Sequence, residues 1–130
     1  MNSYEVGAQD GLHALRRTRR PAPVPAAGQA LIRVRAVCLN HRDLRILQGS
    51  YGPRRPETRI PVSDGIGDVV ALGAGVPAHW LGRRVICSHL VDWLDGAFSP
   101  AYFQSDLGVS LDGWLAEQFV VRADALVAVP

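Results

Sequence analysis

Two carboxylates, an amide and a hydroxyl lie close together in one stretch of the chain, Ala36 to Asp64. Asn40 and Asp43 stand near its start, and Ser63 and Asp64 close it. An amide both donates and accepts hydrogen bonds but is a poor ligand for zinc. A pair of carboxylates held near one another can divide acid and base roles; for Asp43 and Asp64 the sequence leaves proximity open. His41, beside Asn40, could assist a proton transfer or simply cap a helix. Ser63 lies in no G-x-S-x-G elbow and is excluded as a hydrolase nucleophile. The four histidines, His13, His41, His79 and His89, have no metal-ligand spacing, and no Cys-x-x-Cys pair occurs. Hydrogen bonding and proton movement are the chemistry these residues offer.

The elements that must position them are mostly strands. From Ala30 to Leu39 residues alternate, with Ile32, Val34, Ala36 and Cys38 on one face and Arg33, Arg35 and Val37 on the other, a half-buried strand. Asn40 follows at an N-cap position with Asp43 three residues on, so both also suit simple helix capping. Leu44 and Leu47 share a helical face, and Gly49 is a stop. Pro53, Pro56 and Pro61 make Ser50–Pro61 a loop. Further strands are expected over residues 3–8, 14–19, 66–73, 85–90, 113–122 and 125–129. Short strands with glycine punctuation and one clear helix predict a mainly β fold with one or few short helices. Val91–Asp112, with Trp93, Phe98, Tyr102 and Phe103, has no sustained period. A loop of this length often lines a binding site, and Phe98 and Phe103 are expected to pack onto the core.

At 130 residues and 48% apolar content the chain is read as one domain, residues 1–130, with a real core. No run approaches a membrane span and the N-terminus has no signal layout, so a cytoplasmic protein is expected. All fourteen basic residues are Arg, and the net charge of +2 does not point to nucleic acid. Cys38 and Cys87 both sit in apolar strand patterns, where free thiols act as small hydrophobes. Gly65-x-Gly67 and Gly73-x-Gly75 do not complete a dinucleotide fingerprint, and without Lys no Walker loop is possible.

The order of several motifs resembles the medium-chain dehydrogenase/reductase family. They are Ala36–Asp43, Ile60–Gly65, Gly67-Asp68-Val69-Val70-Ala71-Leu72-Gly73-Ala74-Gly75-Val76, Leu81–Val85 and Asp112–Val120. The resemblance implies the family's N-terminal catalytic domain, a GroES-like partly open β-barrel, with the Rossmann nucleotide-binding domain absent from this chain. It also implies a zinc-independent, quinone oxidoreductase-like member, because Asn40 and Ser63 stand where zinc-dependent relatives carry a metal-binding Cys and His. NADP or NAD would then be the cofactor, requiring that missing domain, with no metal. A carbonyl, enone or quinone would be the substrate, and a homodimer is compatible with the longer enzyme. By the same resemblance Asn40, Asp43, Ser63 and Asp64 become the catalytic candidates, and Asn40 and Tyr51 the cofactor contacts. Trp93 and Tyr102 become walls of a substrate pocket. Arg42 stands where alcohol dehydrogenases keep a proton-relaying Ser or Thr. A domain of this kind alone would be inactive; the competing expectation is a non-catalytic module, or truncated remnant, that binds a small ligand or a protein.

Overall fold

A computed structural model describes all 130 residues. Seven strands form in chain order: β1 (Asn2–Glu5), β2 (Arg16–Arg19), β3 (Gln29–Cys38), β4 (Asp64–Leu72), β5 (Arg84–Cys87), β6 (Gln118–Arg122) and β7 (Leu126–Ala128). One α-helix, α1 (His41–Leu47), links β3 to the loop before β4, and four short 3-10 turns complete the elements. β1 and β2 form a separate antiparallel ribbon, and the others make a five-stranded sheet in the order β6-β3-β4-β5-β7. Neither sheet closes on itself. The mainly β, partly open architecture agrees with the sequence reading.

The long pair β3–β4 forms the spine. Its antiparallel register sets Cys38 opposite Asp64 and shifts twice, between Leu31 and Ile32 and between Val34 and Ala36. A bulge inserts one residue and re-aims the side chains beyond it. The strict alternation expected from Ala30 to Leu39 therefore fails past Val34. Val37 packs against the core, whereas Cys38 is exposed. Cys87 is buried, as its apolar setting suggested.

Trp114, with no accessible surface, sits in the main core and leans on Phe119 at a ring-centroid distance of 4.2 Å. Its ring packs against Gly65, where an added Cβ would come within 2.6 Å of it. The strand expected over residues 113–122 is shorter, beginning at Gln118. The N–H groups of Gly113, Trp114 and Leu115 are spent instead on the carbonyls of Ile60, Val62 and Pro61. This segment crosses over the entrance to β4 rather than joining the ladder. A smaller cluster of Val6, Ile46 and Leu47 seats α1. The helix buries Asp43, Ile46 and Leu47, so of the expected Leu44–Leu47 stripe Leu47 is buried and Leu44 is half-buried.

Within Val91–Asp112 the structure finds a 3-10 turn, Pro100–Ser105, and bridges of Leu90 to Asp106 and Leu107 to Leu111. Phe98 and Phe103 are exposed rather than packed onto the core. They join Trp93 and Tyr102 in an aromatic group held by edge and stacking contacts. No helix is long and apolar enough to cross a membrane.

Because the Trp114 ring occupies the space of a Gly65 side chain, Gly65→Ala should lower stability by about 1–3 kcal/mol, the usual cost of overpacking. Urea unfolding followed by tryptophan fluorescence measures it. An unchanged midpoint would mean that the ring can retreat.

Candidate functional site

Asn40 lies two residues beyond the bulged β3 strand and opens α1 in an extended conformation, as an N-cap residue should. Its backbone N–H donates to Asp43 Oδ2 at 2.8 Å, the carboxylate half of a capping box. Its side-chain Nδ2 donates to Asp64 Oδ2 at 2.5 Å. One residue thus bridges the two carboxylates whose proximity the sequence left open. An amide nitrogen carries two hydrogens, and only one is used here.

Asp64 is placed by the turn before it. Val62 is buried with a positive φ of 77°, a costly conformation for a β-branched residue. It is held there by Trp114 N–H donating to the Val62 carbonyl at 2.8 Å. Gly108 and Gly113 press so closely on Val62 and Pro61 that added Cβ atoms would come within 2.9 Å and 2.1 Å of backbone atoms. The strained turn then delivers Ser63 and Asp64. Ser63 is 1% exposed and its hydroxyl donates to Asp64 Oδ2 at 2.9 Å. That hydrogen is consumed, so Ser63 orients Asp64 from beneath.

Arg42 closes the cluster and was not among the sequence candidates. Its Nε donates to Ser63 Oγ at 3.2 Å, and Nη2 and Nη1 grip Asp106 Oδ1 and Oδ2 at 2.9 and 3.1 Å. Nη2 also donates to the Leu107 carbonyl. The forked geometry is the one guanidinium and carboxylate favour. Burial pulls the Arg42 pKa down, but the hydrogen bond and charge of Asp106, aided by Tyr51, leave it raised overall. Asp106 is 2% exposed and lies in the aperiodic 91–112 segment, which offered no local signal of a partner 64 residues away. Donation runs one way, from Arg42 through Ser63 to Asp64.

Burial raises the Asp43 pKa above its ordinary 3.8, with the nearby Asp64 charge pushing the same way. The hydrogen bond from Asn40 and the charge of Arg42 oppose it, and Asp43 Oδ1 is buried with no partner. Burial first, and Asp64 second, push the Cys87 thiol up to about 12. Cys87 and Cys38 border, with Asp64, a cavity of about 380 Å³.

Tyr51 is the remaining cofactor candidate. It lines a larger cavity of about 680 Å³ and packs beside the Val6–Ile46–Leu47 cluster, meeting the polar cluster through Arg42. Trp93 and Tyr102 stack on each other at 5.9 Å, and neither lines the cavities bordered by Tyr51 and Asp64. Asn40, Asp43, Ser63 and Asp64 are therefore brought together, Tyr51 stands next to them, and the two aromatics stand apart. No three His, Cys, Asp or Glu side chains converge in metal-binding fashion.

Comparison with known proteins identifies the domain. Residues 26–130 match the alcohol dehydrogenase GroES-like domain. A zinc-type alcohol dehydrogenase-like protein of Schizosaccharomyces pombe is 34% identical over 79% of this chain and 30% of its own length. The acryloyl-coenzyme A reductase of Metallosphaera sedula is 38% identical over 83% of this chain and 34% of its own. A Sinorhizobium meliloti structure described as an alcohol dehydrogenase superposes with a TM-score of 0.88 at 31% identity, covering 99% of this chain and 38% of that one. The chain spans about a third of the length of the curated relatives it matches.

Asp106→Asn leaves the Arg42 guanidinium half-buried without its countercharge, and should cost about 3–5 kcal/mol in urea unfolding; a loss below about 1 kcal/mol would place the pair among ordinary surface bridges. Asp43 predicts a pH effect. Its folded pKa lies above its unfolded one, so its contribution to stability falls as pH rises from the unfolded value through the folded one. Asp43→Asn should remove that decline. Stability curves for the two proteins that stay parallel from pH ~3 to pH ~7 would contradict it.

Proposed function

This chain belongs to the alcohol dehydrogenase GroES-like domain family, and from that premise we propose that it is the substrate-side domain of a nicotinamide-dependent oxidoreductase working without zinc. Reduction of a carbonyl, enone or quinone, in the manner of the quinone oxidoreductases, is the reaction that suits it. One observation carries the reading: Asn40, at the position of a metal-binding Cys in zinc-dependent relatives, is tied by its amide to Asp64.

The donor set does not suit zinc. Asn40 offers an amide, Ser63 a buried hydroxyl, and Asp64 Oδ2 already accepts from both. Zinc sites are built from thiolate, imidazole and carboxylate. The same groups suit hydrogen-bond catalysis. Asp64 fixes the amide plane of Asn40, leaving its second hydrogen for a carbonyl oxygen. Such a fixed donor costs no reorganisation when negative charge develops on that oxygen. Arg42 holds Ser63, and through it Asp64, so that the amide does not turn. A bound nicotinamide supplies the hydride; Asn40 is the group of this chain suited to its carboxamide, and Tyr51 the wall beside it. NADP and NAD are equally compatible with these residues.

In the protein that carries this domain, oxidation of NADPH or NADH with enones, quinones and aldehydes is the assay. Asn40→Ala should lower kcat by at least about tenfold, an effect larger than the loss of about 1 kcal/mol of stability expected from removing an N-cap side chain, and chelator treatment should leave wild-type activity intact. Undiminished turnover in Asn40→Ala would remove the amide from the site, and loss of activity on chelation would restore a metal. Failure of every acceptor with both cofactors would favour the non-catalytic binding module.

A further inference from the structure

The cavity beside Tyr51 has a composition that hydride transfer does not require. Four guanidinium side chains line it, Arg45, Arg54, Arg55 and Arg59, with Asp106 as the only acid. Asp106 is already taken by Arg42 on two oxygens. Arg59 reaches Asp112, which Arg20 also holds. Arg45, Arg54 and Arg55 have no carboxylate partner; their hydrogen bonds go to the backbone carbonyls of Ser50, Ala8, Pro53 and Tyr51. Carbonyls fix a guanidinium without neutralising it, so the cavity keeps a positive field.

Two details separate it from a chance cluster of surface arginines. The Nε atoms of Arg55 and Arg59 are buried with no hydrogen-bond partner. A buried donor left unpaired is destabilising, and these two guanidinium groups keep donor capacity that no group of the protein uses. The loop carrying the arginines is also built rigidly. Gln9, 3% exposed and itself at a positive φ, accepts from the Arg55 N–H at 2.9 Å and donates to the Arg55 carbonyl at 2.8 Å. A buried amide thus clamps the backbone at the centre of the cationic wall. Its volume of about 680 Å³ falls in the range of small-molecule sites. Arg42 connects it to the candidate centre, bonding Asp106 on the cavity wall and Ser63 in the cluster.

We infer that the cavity is an oxyanion-recognition subsite, and that the substrate carries a carboxylate or phosphate group remote from the carbon that is reduced. This names the substrate class of the reaction proposed above and rests on that reading. Arg55 is the central contact, Arg54 and Arg45 the outer ones, since guanidinium groups match both oxyanions with paired hydrogen bonds.

The test is binding to the chain itself, with no nicotinamide present. Backbone amide resonances are followed by NMR while inorganic pyrophosphate, succinate or the neutral isostere succinamide is added. Saturable shifts confined to residues 45–59 and 103–110 with a dianion, and none with succinamide, are expected. Response to pyrophosphate alone assigns a phosphate, and response to succinate as well admits a carboxylate. Arg54→Gln and Arg55→Gln should each weaken binding by about tenfold, the worth of a charge-assisted hydrogen bond. Arg83→Gln, an exposed arginine elsewhere, should not. Shifts that fail to saturate, equal responses to succinamide, or equal weakening by Arg83→Gln would overturn the subsite. Arg54 bonds only the Ala8 carbonyl, so its variant remains informative if Arg55→Gln does not fold. Because the assay is independent of hydride transfer, its failure leaves the oxidoreductase reading standing, and failure of that reading leaves a binding result intact.

Discussion

The register of β3 on β4 is the constraint from which the rest follows. With Cys38 opposite Asp64, the chain leaving β3 must pass Asp64 within two residues, and Asn40 arrives there as it begins α1. A slip by one residue would turn every side chain of the strand to the other face, separating Asn40 from Asp64. Two bulges pin that register, and the second delivers Val37 to the core while leaving Cys38 outside. The price is a strained Val62, which is held by hydrogen bonds and close glycine contacts from residues 108–115.

Around that pairing the polar groups form a directed network. Arg42 donates to Ser63, Ser63 to Asp64, and Asn40 to Asp64. In a partly buried setting such a network is stable only where its members are satisfied. The exception is Asp43, with one oxygen unpaired and a pKa raised by burial and by Asp64. Two adjacent carboxylates in unlike environments are the arrangement from which acid and base roles emerge. Asp64 accepts hydrogen bonds from Asn40 and Ser63, whereas burial raises the Asp43 pKa.

Charge elsewhere follows a different logic. Arg42, Arg20 and Arg122 meet carboxylates, whereas Arg45, Arg54 and Arg55 are fixed by carbonyls and leave one cavity positive. An all-arginine basic composition makes this geometry available, because a planar guanidinium can hold two carbonyls and still present donors. The small net charge of the chain hides this local asymmetry.

Much of the fold was legible in the residues. The Asn40 cap with Asp43 three on, the stop at Gly49, the glycine turn after β4 and the mainly β class all rest on short-range chemistry that a sequence displays directly. The meeting of Asn40 with Asp64 could be suspected only through family resemblance, and Arg42–Asp106 not at all. Asp106 lies in an aperiodic segment, and its partner is chosen by how that segment folds back against α1 and the turn at Val62. The strand expected at Gly113 failed for a related reason: its N–H groups bond the loop at residues 60–62, a tertiary choice that alternation cannot encode. Local sequence determined which elements form and how they begin and end. Tertiary structure alone decided which side chains face one another, because a bulge, a strained turn and a crossing segment act on residues far apart in the chain.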